Sequence, residues 1–420
     1  MLKQLGCKTG NIMLFIRGLK KTGSLYATRL PLFVSVLFLS GAFLLVRSDI
    51  FVRQGEQHFT FLAQSILKGH FYFVEEPGRW GDTSLYQDNH YWPSGPLPAL
   101  LFVPLVALFG RALQQGYPLL VINLATLYLL YRIALRITAN YRTSLWLSFA
   151  YVFSTAYLYI ALKPWSWYFA QAVATLFVLL GLHEFLYKKR WWLIGTYLAF
   201  AVATRVNLVL AGLFFAASIL LEKNSAPDLF CWNKKCRRLF QLALPIAISL
   251  SFLLGYNYLR FGNVFEFGYR YQLLYNEPAV NREHGLWSLV HFPANLYYFL
   301  LKGPEAVFLP DSTIATYPFF QANIWGMSIL FTSPILLWGL RAPMKEMVVY
   351  LSLATSLIML SVLLGYYGIG VRQYGYRYAL DFYPFLFLML AYASRAGLTL
   401  PMQVIIVLSF ILNSYLIHFV

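Results

Sequence analysis

The sequence predicts an all-α polytopic membrane protein with about 11 transmembrane helices, or 12 if residues 96–110 span. Three observations carry that reading. Hydrophobic residues make up 59% of the 420 positions and charged residues only 12%, where a soluble chain would carry about a quarter charged. Mean hydropathy is +0.60. Apolar runs of roughly membrane-crossing length recur along the chain, and the basic residues cluster between alternate runs.

The elements follow in order. Residues 1–29 form a basic lead, read as a cytoplasmic N-terminus, and residues 30–420 as a single transmembrane domain. The first apolar run, 30–46, has no small-residue cleavage site and reads as a retained first span. It is short for a helix of ~20 residues, a deficit that snorkelling by Arg29 and Arg47 offsets. Further spans are expected near 117–131, 144–161, 168–186, 191–204, 206–221, 240–259, 322–340, 346–366, 379–393 and 399–418. Segment 96–110 holds Pro96, Pro98 and Pro104, which disfavour a regular spanning helix. With that segment re-entrant or interfacial and the N-terminus inside, 20 of the 33 basic residues but only four of the 16 acids fall on the inner side. That asymmetry is the positive-inside rule, so the net charge of +17 is read as topology and not as a nucleic-acid footprint. Cys7, Cys231 and Cys236 have neither metal-ligand nor disulfide-framework spacing.

Two outer loops are long, 47–116 and 260–321, and function is sought there. In "RQGEQHFTFLAQSILKGHFYF" (53–73), Phe59, Leu62, Ala63, Ile66 and Leu67 follow a helical stripe that Gly69 stops. The stripe predicts a short amphipathic helix on the membrane surface. "TSLYQDNHYW" (83–92) predicts a hairpin turning at Asp88-Asn89. "LWSLVHFPANLYYFLL" (286–301) predicts a second interfacial helix, interrupted by Pro293. The outer face thus gathers Asp49, Glu56, His58, Asp82 and His90. Taken singly these are ordinary solvated loop residues. As a set at a lipid boundary, desolvation raises the proton affinity of the acids and makes them candidate bases. Asp49, Glu56 and Asp82 are the catalytic candidates.

Arginines form the second group. Arg205, Arg260 and Arg377 each lie at the outer end of an apolar run, and a charge at mid-membrane costs about 2.5–3.5 kcal/mol. Snorkelling explains each alone, and Asp381 four residues on is the expected ion-pair partner of Arg377. Together with Arg372 they suit bidentate binding of a lipid-linked phosphate. Among the many aromatics, most belong to interfacial belts; Trp80, Tyr91 and Trp92 are candidates for stacking on sugar rings. His58, His90 and Trp92 are accordingly placed with the four arginines as substrate-binding candidates. No nucleotide-phosphate loop, GxGxxG or zinc spacing is present, so an activated substrate has to come from the membrane.

The arrangement of a first span, a large outer loop with surface helices and a proline-rich segment resembles the GT-C glycosyltransferases. "GEQHF" (55–59) is similar to the Asp-Glu-x-His-Phe signature of the protein O-mannosyltransferases in that superfamily, with Gly55 at the acidic position. "LAQSILKG", "YWPSGPLPALLFVPLVALFG", "YLRFGNVFEFGY" and "YGYRYALDFYP" resemble bacterial members of unassigned acceptor. The resemblance implies a GT-C fold and sugar transfer, with inversion, from a polyprenyl-phosphate donor to a lipid, glycan or protein acceptor at the extracytoplasmic face of the plasma (inner) membrane. It places Asp49 first among the bases, because the superfamily keeps its catalytic acid after the first span. No cofactor or metal site is expected; whether a divalent cation takes part is not legible in the sequence. The alternatives are a transporter or flippase of lipid-linked sugars, and a surface-glycan polymerase or ligase. The first is disfavoured by the lack of inverted-repeat halves.

Overall fold

A computed structural model describes residues 34–47, 56–222, 229–274 and 279–420, with the side chains of 229–232 left aside. Asp49 lies outside the described residues. The first helix, α1 (Val34–Arg47), is apolar and belongs to a separate compact unit. Residues 47–420 form the second unit, and it is built almost wholly of helices. In chain order these are α2 (His58–Leu67), α3 (Leu97–Phe109), α4 (Gly116–Thr138), α5 (Tyr141–Phe153), α6 (Tyr157–Leu162), α7 (Ser166–Tyr187), α8 (Trp191–Thr204), α9 (Gly212–Leu220) and α10 (Leu229–Phe261). They continue as α11 (Phe292–Leu300), α12 (Ile329–Thr332), α13 (Pro334–Leu337), α14 (Met347–Leu364), α15 (Tyr383–Ala393) and α16 (Leu400–Leu416). Two small antiparallel hairpins interrupt them, β1 (Ser84–Tyr86) with β2 (Asn89–Tyr91), and β3 (Glu305–Phe308) with β4 (Ala315–Gln321).

Among the described residues five helices are long and apolar enough to cross a membrane: Gly116–Thr138, Ser166–Tyr187, Asn233–Phe261, Met347–Leu364 and Leu400–Phe419. The mostly helical structure with these long apolar helices is compatible with an all-α membrane protein. Other expected spans are shorter or broken. The run at 144–161 divides into α5 and α6 at Ser154–Ala156, and that at 322–340 divides at Ser333 after a non-helical start. The two breaks meet. The Ala156 amide donates to Ser333 Oγ at 2.9 Å, and Asn413 Nδ2 donates to the carbonyls of Thr155 and Thr332 at 3.3 and 3.0 Å. Side chains thus satisfy backbone groups that lipid could not, which is the condition for breaking a helix at membrane depth. Helix α10 instead outruns its apolar stretch at 240–259, because the Lys- and Arg-rich turns before it are good helix formers.

Side-chain contacts sort the helix ends. Arg136 of α4 donates to the carbonyl of Leu186 on α7 at 3.2 Å, and Lys189 after α7 pairs with Glu222 after α9 at 3.9 Å. Glu222 also pairs with Arg238 of α10. At the opposite end, Gln115 before α4 and Ser166 at the start of α7 are tied to the residues opening α2. Gln115 Nε2 donates to the Glu56 carbonyl at 3.0 Å, and Ser166 Oγ donates to the same carbonyl at 2.9 Å. Helix α3 begins there too: Ser94 Oγ donates to the Thr204 carbonyl at the end of α8. A Cβ on Gly95 would lie 2.1 Å from the Ala203 carbonyl oxygen, so only glycine fits against α8. It also ends there, because the Leu113 carbonyl accepts from Thr60 of α2. Both flanks of α3 are thus tied to the end of the bundle where α2 lies.

The amphipathic helix at 58–67 forms as patterned, with Phe59, Leu62 and Ala63 fully buried. Two local expectations are corrected. The first hairpin turns at Gln87-Asp88, not Asp88-Asn89; both turn residues have positive φ (48° and 61°), the geometry that tight two-residue hairpins require. Pro293 opens α11 instead of interrupting a longer helix, because a proline at the first turn loses no hydrogen bond.

Candidate functional site

A cavity of about 350 Å³ lies where the ends of α7, α8, α10 and α14 meet the two loops expected to be functional. Seven charged side chains line it: Glu56, Asp82, Arg79, Arg205, Arg260, Arg372 and Arg377. Every described acid and arginine singled out from the sequence is among them; Arg79 is the addition.

The acidic corner is built by the residues preceding α2 and by the loop before β1. Glu56 Oε1 lies 2.5 Å from the guanidinium of Arg79, which also approaches Asp82 Oδ2 at 3.8 Å. Asp82 sits at φ 68° and accepts from Trp167 Nε1 at 3.4 Å. Its backbone is stitched to the second outer loop: the Asp82 amide donates to the Leu273 carbonyl, and the Leu273 amide to that of Thr83, both at 2.8 Å. Burial raises the proton affinity of Glu56; Arg79 opposes that, Asp82 adds to it, and the more distant charges of Arg372 and Arg377 oppose it weakly, leaving the pKa raised. The signal for Arg79 was present in the sequence, as an arginine three residues before Asp82.

Arg205 terminates α8 in an extended conformation (φ −144°, ψ 105°) and a 3₁₀ segment follows. Its guanidinium makes a two-pronged pair with Asp381, at 3.0 and 2.8 Å, and Asn207 Nδ2 donates to the same carboxylate at 2.6 Å. Asp381 is therefore the partner of Arg205 and not of Arg377. Residues 377–381 form a 3₁₀ turn, in which i and i+4 no longer share a face.

Arg377 instead lies over the rings of Tyr168 and Tyr378, at 5.5 and 5.0 Å, a cation–π arrangement. Arg372 has φ 52°, and its carbonyl accepts the hydroxyls of Tyr159 and Tyr168. Arg260 is buried between Tyr256 and Phe261 and donates to the Trp92 carbonyl at 2.6 Å and to Asn257 Oδ1 at 2.7 Å. Trp165, Trp167, Tyr366 and Tyr367 complete an aromatic wall.

The remaining candidates lie off the cavity. Trp92 is fully buried and contributes its carbonyl, not its ring face. His58 stacks on Trp92 at 4.4 Å, with Nδ1 at 2.9 Å from Ser166 Oγ. Burial, aided by Arg79, pushes its pKa down to about 3, so the ring is neutral. His90 stacks on Trp80 at 4.0 Å, with Nδ1 at 2.8 Å from Thr83 Oγ1, and burial lowers its pKa too. None of the three is among the residues that line the cavity. Their aromatic character was legible in the sequence; their inward orientation was not.

Among the described residues no group of three or more His, Cys, Asp or Glu converges as a metal site would. With five arginines against two lining carboxylates and the Asp381 carboxylate that pairs with Arg205, the cavity keeps a cationic excess suited to an anion. One acid of raised proton affinity stands at its edge, and the aromatic faces suit a polar ring. Comparison with family models, curated proteins and solved structures finds no match.

Proposed function

We propose that the chain transfers a sugar from a polyprenyl-phosphate donor to an acceptor hydroxyl or phosphate at the extracytoplasmic face of the plasma membrane. The observation that carries this reading is one cavity, at the end of membrane-length helices, holding Glu56 and Asp82 together with Arg205, Arg260, Arg372 and Arg377. The arginines receive the donor phosphate and stabilise the charge that develops on it. For a hydroxyl acceptor, its oxygen attacks the anomeric carbon while the bond from that carbon to the phosphate oxygen breaks, with inversion. The electron pair leaves with the polyprenyl phosphate, and the acceptor proton passes to Glu56, a step of the kind worth roughly 10²–10⁴-fold. Asp82 tunes Glu56. Asp49 keeps its standing as a candidate base from the sequence.

The reading of about 11 spans in a GT-C arrangement, N-terminus inside, counts each broken helix pair as one crossing. The gathering of lysines and arginines at the helix ends away from the cavity supports a cytoplasmic position for those ends. The test incubates purified protein with radiolabelled polyprenyl-phosphate sugars and membrane extract. Label appearing on a new lipid, glycan or protein, and absent with Arg377→Ala, is the expected result. Label that stays on the polyprenyl phosphate but changes leaflet would replace transfer by transport.

A further inference from the structure

A second hollow, of about 360 Å³, lies at the far end of the same helices. From Ser166 to Lys188, α7 runs roughly 30 Å at 1.5 Å per residue, from the cavity wall to this hollow. Lys188 and Lys189 approach it from the turn between α7 and α8. Lys234, Arg237, Arg238 and Gln241 approach it from α10. Those four positions are spaced i, i+3, i+4 and i+7, one face of a helix. Lys235, off that face, is used otherwise: its Nζ donates to the carbonyls of Leu220 and Glu222, closing the end of α9. Buried Trp191 lines the hollow as well. Close contact of two helices sets its inner limit: a Cβ on Gly195 would lie 2.4 Å from the Leu242 carbonyl oxygen, so α8 and α10 touch backbone to backbone one turn inward. Glu222 faces the hollow's cations, pairing with Arg238 and, at 3.9 Å, with Lys189.

We infer that this hollow binds the phosphate-bearing headgroup of an anionic membrane lipid. Five cations from two distant segments line it; among the described residues Glu222 pairs with Lys189 and Arg238, and Lys188 and Arg237 keep the hollow cationic, which favours an anion over a neutral headgroup. The choice of lipid over free phosphate rests on the surface beside it. Trp192 and Phe240, neighbours of Trp191 and Gln241, are 53% and 63% exposed, and Leu244 is 44% exposed. An amphiphile covers both features at once, headgroup in the basic hollow and chains along that apolar surface. The inference does not rest on the proposed sugar transfer.

The test is native mass spectrometry of the full chain in detergent, titrated with phosphatidylglycerol or phosphatidylcholine. Phosphatidylglycerol is expected to be retained preferentially. Lys188→Gln with Arg237→Gln should weaken it about 25-fold, at about five-fold per cation. Gln241→Trp, which fills the hollow and leaves its charge intact, should weaken it comparably. Arg341→Gln with Lys345→Gln, cations outside the hollow, should leave it unchanged. Equal weakening by that control pair would overturn the inference, as would wild-type retention by Gln241→Trp. Displacement of the lipid by inorganic phosphate at equal concentration would assign the hollow to a free anion and overturn the lipid reading.

Discussion

Replacing Asp381 with alanine strands the Arg205 guanidinium in the wall of the cavity. The two side chains are 2% and 12% exposed, so solvent screens the pair little. Asp381 accepts three hydrogen bonds, two from Arg205 and one from Asn207. Removing one member of such a buried pair costs about 3–5 kcal/mol, most of it the penalty of leaving the other charge uncompensated. Asp381→Asn falls toward the lower end of that range, because one amide oxygen still accepts. The double change Arg205→Met, Asp381→Leu removes both charges and should return to within about 1–2 kcal/mol of the parent. The assay is a denaturant titration in mixed micelles followed by tryptophan fluorescence; the parent, Arg205→Met, Asp381→Leu and the double variant form a double-mutant cycle, with Asp381→Ala and Asp381→Asn measured beside it. If Asp381→Ala costs under about 1 kcal/mol, or if the double variant is as damaged as the sum of the singles, the pairing described here is wrong.

Three further outcomes follow from the geometry. Activity should rise with pH through the raised pKa of Glu56, since the base acts deprotonated. In a pH–rate profile, Arg79→Gln should move that limb to higher pH by removing the opposing cation, and Asp82→Asn should move it lower by removing the reinforcing anion; Glu56→Gln should lower transfer roughly 10²–10⁴-fold on the high-pH plateau and remove the limb. His58 is neutral when folded, with a pKa of about 3 against the ordinary 6.5, so the unfolded chain binds the proton and stability is lost as pH falls below 6.5. At pH 5 that loss is about 2 kcal/mol relative to neutral pH, and denaturant titrations of His58→Gln should lack that component. Gly195→Ala forces a Cβ onto the Leu242 carbonyl and should cost about 1–3 kcal/mol, read as a lowered unfolding midpoint.

Much of this architecture could be read from the chain because lipid imposes coarse rules. Apolar run length and the distribution of Lys and Arg gave the mostly helical class with several long apolar helices, and the stripe at 58–67 gave the helix there. Glu56, Asp82 and the four arginines stood out because a charge beside lipid demands a reason. The breaks at Ser154–Ala156 and Ser333 were not legible, since each depends on partners such as Asn413 that lie far along the chain. The partner of Asp381 was misread for a related cause: spacing of four suggests a helix face, and a 3₁₀ turn removes it. His58, His90 and Trp92 have residue types that suit ligands, yet tertiary contacts bury His58 and Trp92 and stack half-exposed His90 on Trp80. Arg79 was missed although its neighbour Asp82 was not.

The Arg205–Asp381 pair also sets a schedule for biosynthesis. Its members are 176 residues apart, and a ribosome adding roughly 5–20 residues per second needs about 10–35 s to cover that distance. During that interval α8 and its terminal arginine are already at the translocon, and the carboxylate that neutralises them has not been made. The nascent protein therefore carries an uncompensated cation at the membrane boundary until residue 381 emerges, with lipid phosphates or water as its temporary counter-charge.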